Sequence, residues 1–278
     1  MSNSKTGIIE VADGIYAFIQ PDGGTNGGFI VGEDGVIVIE GLMTQGLTSV
    51  MKRAVSKVTS SPIRVLIVTH FHGDHSFGIQ HYLPVAVVGH SECRREIIER
   101  WSESIDRFTI MRPDLADEFR GNILAPPDMV FSDTMDLYLG SRRIELLHYG
   151  RGHTRGDILV HLPKEKLVFS GDVVVEGGLP FTMDGYMSEW MAVLEKMECL
   201  EADTIIPGHG FIGDMSMVIA LRGVFDYLKI ETQNRFDAGM SIEQAAENIT
   251  LSEFGLTLSN EQLEMPIKRF YMEFCGEL

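Results

Sequence analysis

His70, His72, Asp74 and His75 stand within six consecutive positions, in the run His70-Phe71-His72-Gly73-Asp74-His75. Imidazole and carboxylate together suit zinc and similar divalent cations. In an extended segment His70 and His72 point the same way, because side chains alternate with a period of two. Gly73 permits a sharp bend that turns Asp74 and His75 toward the same point. A polar surface loop is the plain alternative. Such loops rarely hold this many histidines directly after an apolar strand.

Later segments repeat the pattern: Gly152-His153-Thr154, Ser170-Gly171-Asp172 and Pro207-Gly208-His209-Gly210. Each follows a strand-like run or closes a loop with glycine. Taken singly, each is weak, since a lone His or Asp after a strand is commonly structural. Their weight is joint: several strand ends in one chain, each offering metal ligands.

At this point the chain resembles the metallo-β-lactamase superfamily. His70-Phe71-His72-Gly73-Asp74-His75 matches the HxHxDH motif of that family. Gly152-His153-Thr154 resembles its next metal histidine, Gly171-Asp172 its bridging aspartate and Gly208-His209 its final histidine. The resemblance implies one metal at His70, His72 and His153, and a second at Asp74, His75 and His209, with Asp172 bridging both. It implies an α/β layered fold, the αββα four-layer sandwich, with the site at one edge. The commonest zinc β-lactamases carry cysteine where this chain has Asp172. An aspartate there is more similar to glyoxalase II, lactonases and related thioesterases and esterases.

The reaction expected from this set is metal-dependent hydrolysis. A hydroxide shared by two cations attacks the carbonyl of a small molecule, and metal charge stabilises the oxyanion. The bond is a thioester, lactone, ester or amide. Asp74 is the candidate catalytic residue, orienting the hydroxide and passing a proton to the leaving group. Zn2+ is the first expectation for both metals, with Fe or Mn as alternatives. Two other function classes stay open: a mono-iron sulfur (persulfide) dioxygenase and a non-catalytic metal-binding effector. Glu40, after Val36–Ile39, either backs a ligand or is a surface carboxylate. His81, His90, His148 and His161 lie outside the motifs and read as structural, with His90 and His148 as candidate supports. Cys93, Cys199 and Cys275 read as packing residues.

The elements that must hold these residues follow from periodicity. Gly7–Val11, Ile15–Ile19, Gly28–Val31 and Val36–Ile39 read as strands between glycine turns. Thr44–Thr59 reads as an amphipathic helix. Arg64–Thr69 is apolar throughout its centre, which suits a strand covered on both faces. Val85–Val88, Met135–Leu139, Arg142–Leu147, Ile158–Leu162, Leu167–Phe169 and Thr204–Ile206 complete the strands. Ser91–Asn122 and Ser188–Leu200 read as helical, and helices dominate from Met215, with a capping box at Ser241 and Gln244. The Ser91–Asn122 region is a lid, a homodimer contact or core. The glycine-rich loop Glu176–Phe181 lines a substrate channel or is a plain connection. Two sheets packed face to face with helices outside fit this order. Residues 1–215 form the expected metal-binding domain, and residues 216–278 are helices packed on it.

Bulk properties narrow the partners. The chain has 278 residues and a formal net charge of −17. Binding to nucleic acid needs clustered cations, and this balance runs the other way. The same field disfavours anionic membranes, and no apolar run reaches the ~18 residues of a membrane span. The three scattered cysteines form neither a disulfide framework nor a CxxC pair. With no visible leader in MSNSKTGIIE, the expectation is a cytoplasmic protein acting on a small molecule.

Overall fold

A computed structural model describes residues 7–20 and 22–278. The first six residues, which form part of the stretch read for a leader, lie outside the described residues. Strands β1 (Gly7–Ala12), β2 (Ile15–Ile19), β3 (Gly27–Gly32) and β4 (Gly35–Ile39) make an antiparallel meander. Helix α1 (Gln45–Val58), capped by the Thr44 side chain, leads to β5 (Ile63–Ile67), parallel to β4. The short helix α2 (Gly73–Ser76) follows, then β6 (Ala86–His90), parallel to β5. Helices α3 (Ser91–Glu99), α4 (Trp101–Met111) and α5 (Ala116–Arg120) precede β7 (Met129–Phe131), which closes the first sheet.

The second sheet holds β8 (Thr134–Leu139), β9 (Arg142–Leu147), β10 (Leu159–Leu162), β11 (Leu167–Gly171) and, after helix α6 (Met187–Glu198), β12 (Thr204–Pro207). Its order is β12-β11-β10-β9-β8, and only β11 and β12 are parallel. Helices α7 (Met215–Asp237), α8 (Ile242–Glu247) and α9 (Asn260–Phe274) follow. The capping box at Ser241 and Gln244 is present, and Ser259 with Gln262 forms another.

Alternation along each strand sorts the core into layers. Ile37 and Ile39 of β4 and Ile67 of β5 face Leu167 and Phe169 of β11 between the sheets. Val36, Val38 and Leu66 turn the other way, against Met51 and Val55 of α1 and Ile97 of α3. Val168 of β11 and Ile205 of β12 turn outward against Trp190, Leu194 and Met197 of α6 and Phe225 of α7. The result is helix, sheet, sheet, helix. Phe270 of α9 and Ala245 of α8 share that last cluster, so the C-terminal helices pack into one core with α6.

The sequence reading departs from this structure in places. Ser91–Asn122 is helical as read, but it is divided twice: at Arg100 between α3 and α4, and at Pro113, which starts a separate 3-10 turn before α5. β7 carries no alternation to announce it: Met129 and Val130 are exposed at the sheet edge. Of the cysteines only Cys93 is packed in the core, whereas Cys199 and Cys275 are exposed at helix ends.

Candidate metal centre

Parallel strands put several chain ends on one edge of the sandwich. β4 ends at Glu40, β5 runs into His70, β11 into Asp172 and β12 into His209. His70 and His72 do turn the same way: His70 Nε2 lies 3.2 Å from His72 Nδ1. Gly73 has another reason than a bend. It opens α2 without a positive φ, and a Cβ there would meet the Phe77 ring at 2.4 Å. His153 is not at a strand end but inside the loop between β9 and β10. Asp157 holds that loop, accepting from Thr154 N at 2.8 Å and Thr154 Oγ1 at 2.6 Å.

The predicted ligands converge as two sets. In the first, His153 Nε2 is 2.9 Å from His72 Nδ1 and 3.4 Å from Asp172 Oδ2, and His70 Nε2 is 3.9 Å from that oxygen. In the second, His75 Nε2 is 3.2 Å from Asp172 Oδ1 and 3.4 Å from Asp74 Oδ2. His209 Nε2 lies 3.4 Å and 3.3 Å from the same oxygens. Ligands about 2.0–2.1 Å from a tetrahedral zinc stand about 3.3 Å from one another. Both sets therefore have the spacing of a tetrahedral cation's shell, and Asp172 offers one oxygen to each.

The outward ring nitrogens are mostly anchored, which aims the inward ones. His70 Nδ1 meets Thr69 Oγ1 at 3.0 Å, and His209 Nδ1 meets Gly23 O at 3.0 Å. His72 Nε2 meets Asp184 Oδ2 at 3.0 Å; His75 Nδ1 lies 3.2 Å from Glu40 Oε1 as a charge contact without an aligned hydrogen bond. Glu40 is thus a buried support for His75, itself held by Thr69 Oγ1 at 2.5 Å. Asp172 Oδ1 and His75 Nε2 are buried without an aligned hydrogen-bond partner. Buried polar atoms of this kind are costly unless something binds them. The donor set and these orphaned atoms fit divalent cations.

Electrostatics divides the sets. Burial first, then the charge of His75, holds His70 well below the usual imidazole range. Burial, then His72, pushes His153 down to about 3. Burial also opposes charge on His75, yet Asp172, Asp74 and Glu40 push it up to about 10. His209 is likewise buried, and Asp172 and Asp74 push it up to about 12. Burial works against ionised Asp74, but His75 and His209 hold it well below the usual carboxylate range. In the first set burial disfavours charge on His70 and His153; in the second the carboxylates of Asp172 and Asp74 draw positive charge onto His75 and His209.

Sequence reasoning missed several supports. Thr25 Oγ1 donates to Asp74 Oδ2 at 2.5 Å. Asn26 Nδ2 clamps the His209 loop through Pro207 O at 2.9 Å and Gly210 O at 2.8 Å. Asp184 has no motif around it. The other histidines are structural: His90 and His148 stack at 3.9 Å, and His161 Nδ1 meets Glu145 at 2.7 Å. His148 Nδ1 also bonds Asp157 O at 2.8 Å, bracing the His153 loop from outside.

A cavity of about 420 Å³ opens over the cluster. Asp74, His72, Asp172 and His209 form its floor; Met43, Leu47, Phe108, Met111 and Phe181 form apolar walls, with Arg107 and Arg112 beside them. The Glu176–Phe181 loop does reach the site, and Phe181 packs edge-on to His72 at 5.8 Å. The Ser91–Asn122 region contributes a wall through Phe108 and Met111, while Trp101, Phe77 and Phe119 pack around Phe108.

Comparison with known proteins settles the family, because the profile described as the metallo-beta-lactamase superfamily matches residues 21–209. The chain belongs to the metallo-β-lactamase superfamily. It thereby joins a superfamily of metallo-hydrolases. Acyl-coenzyme A thioesterase MBLAC2 of Gallus gallus is 30% identical over 155 residues, covering 51% of this chain and 55% of the relative. The chain thus matches only about half the length of that relative. A metallo-beta-lactamase type 2 of Bacillus sp. (strain 170) is 23% identical over 200 residues, covering 70% of each. In structure, the superfamily fold is matched by the sec-alkylsulfatase Pisa1 of Pseudomonas sp., at TM-score 0.78 and 16% identity. That match covers 98% of this chain, C-terminal helices included, and 51% of the other. The DIM-1 metallo-beta-lactamase matches at TM-score 0.64 and 19% identity over 79% of this chain and 96% of that one. Among the described residues no helix is long and apolar enough to cross a membrane.

Proposed function

We infer that this chain is a two-metal hydrolase of acyl compounds, with a thioester as the first substrate class. One observation supports the reading: the Asp172 oxygens lie between two groups of donors, with His70 and His153 near Oδ2 and His75 and His209 near Oδ1, while His72 completes the first group and Asp74 the second. The 30% identity to an acyl-coenzyme A thioesterase supports the thioester choice. Zinc suits this mixture of imidazole and carboxylate.

When bound, such cations supply Lewis acidity and bring the ionisation of a coordinated water toward neutral pH. The remaining work belongs to the protein. Asp74 is the most open of the ligand carboxylates, at 19% side-chain exposure against 7% for Asp172, and it faces the cavity. Thr25 holds one of its oxygens, which leaves the group oriented for proton transfer to a leaving atom. Phe108, Met111 and Phe181 exclude water from an apolar substrate arm. Arg107 and Arg112 stand on the wall already paired, with Asp184 and Asp114 respectively. Cys93 is no competing nucleophile: burial raises its thiol well above the usual range, and it lies outside the cavity.

The deciding experiment is metal analysis of the purified protein together with a panel of thioesters, lactones, esters and amides. The expected result is two zinc equivalents and thioester hydrolysis that a chelator abolishes. Iron with oxygen uptake on a persulfide identifies the dioxygenase instead, and inertness across the panel identifies a binding protein. The panel also needs a primary alkyl sulfate, because a linear primary-alkylsulfatase of Pseudomonas sp. (strain ATCC 19151) is 23% identical over 234 residues. A cytoplasmic location and a small-molecule ligand complete the reading.

A further inference from the structure

The loop after Asp172 stands between cavities. On its far side lies a second one, of about 320 Å³, walled by Leu179, Met217, Leu221, Val224, Phe254 and Leu256. A third, of about 290 Å³, runs along the loop between them. It shares Asp172, Phe181 and His209 with the cavity over the ligand cluster, and Val175–Leu179 with the far one. The three cavities thus follow one loop, from the Asp172 carboxylate to helix α7.

We propose that the far cavity, built by α7 and the Phe254–Leu256 segment, is the subsite for a medium or long unbranched acyl chain of the substrate. This rests on the hydrolase reading and adds the part of the substrate it recognises. The walls are mainly apolar, with Ser216 and Glu176 as the polar side chains and no lysine or arginine to pair with a phosphate, so an apolar chain suits them better. Leu179, Met217 and Leu256 are half-buried at the margin of the α6–α7 core. Phe254 forms a rim, 39% exposed and packed on Tyr227 at 5.4 Å. Gly177 and Gly178 have no atom within 4 Å of where a Cβ would stand, so the loop leaves width for a chain. The one charged group at the junction is turned aside: Glu176 Oε2 accepts from Phe211 N at 3.2 Å. Each buried methylene contributes about fourfold in affinity, so a subsite of this kind shows as a chain-length preference.

The test uses Ala220→Trp, which enters the cavity from the exposed face of α7, and Gly178→Leu, which enters from the loop. Two quantities are read: the ratio of kcat/KM for dodecanoyl over butanoyl thioester, and calorimetric binding of dodecanoate. Wild type is expected to favour the dodecanoyl substrate, and each variant to lose at least tenfold in that ratio and in dodecanoate affinity. An unchanged ratio in both variants, or a wild type that binds no dodecanoate, overturns the subsite. If wild type cleaves no thioester yet binds dodecanoate, and both variants lose that binding, the subsite stands and the hydrolase reading falls.

Discussion

His72 and Asp184 meet across 112 positions of sequence, Nε2 to Oδ2 at 3.0 Å. The same carboxylate accepts from Arg107 Nη1 at 2.9 Å and pairs with Arg100 Nη2 at 2.8 Å. Arg100 also lies over the Phe71 ring at 4.7 Å. Helix α4, which walls the cavity, is thereby tied to a metal-facing histidine. Burial opposes ionised Asp184, yet His72 and Arg107 hold it well below the usual carboxylate range. Asp184→Ala frees the His72 ring and leaves the arginines unpaired. It is expected to weaken metal binding about 10–100-fold, read by competition with a chromophoric chelator. Wild-type affinity in this variant would remove Asp184 from the site.

Gly208 lies against the Asp172 carboxylate. A Cβ there would stand 1.9 Å from Asp172 Oδ1 and 2.7 Å from Gly171 C. Gly208→Ala, although no ligand is changed, is expected to displace Asp172 and cost about 1–3 kcal/mol of stability. Asp172→Ala removes the bridge itself, so metal content should fall toward one equivalent or none and hydrolysis by about a thousandfold. Two metals retained in Asp172→Ala would show that the carboxylate does not join the sites.

Metal removal should also register as lost stability. His153, Asp172 and His209 reach the His70–His75 segment only in the folded chain, so a cation held by the full set binds the folded state. A hundredfold excess of metal over its dissociation constant is worth about 2.7 kcal/mol, several degrees in Tm for a protein of this size. Calorimetric scans with and without chelator measure it. Superimposed scans would mean that the purified protein carried no cation.

Glu96 supplies a pH signature away from the cavity. Burial first, then the charge of Asp157, raises its carboxyl to about 7, against Arg100 and Arg155. A carboxyl raised on folding favours the folded state when protonated. That contribution is whole below its ordinary value of 4.5 and is lost as pH rises through about 7. Glu96→Gln should therefore flatten the stability profile between these values, measured by urea unfolding at successive pH. Parallel profiles for the two proteins would contradict the assignment.

What was legible in the linear order was chemical type and local geometry. His70, His72, Asp74 and His75 sit within six positions after an apolar strand, so their convergence needs only local backbone; the period of two splits β4, β5 and β11 into two faces, but both faces are apolar and only the fold decides which meets the other sheet. His153, Asp172 and His209 were legible as glycine-flanked acids and imidazoles, but their meeting point depends on parallel pairing of β11 with β12 and on the packing of one sheet against the other. Asp184, Thr25 and Asn26 left no trace, because a hydrogen bond between distant residues imposes no spacing on the sequence. The cavities belong to the same class: their walls come from α1, α4, α7 and several loops, and only the packed fold decides that these surfaces face one another.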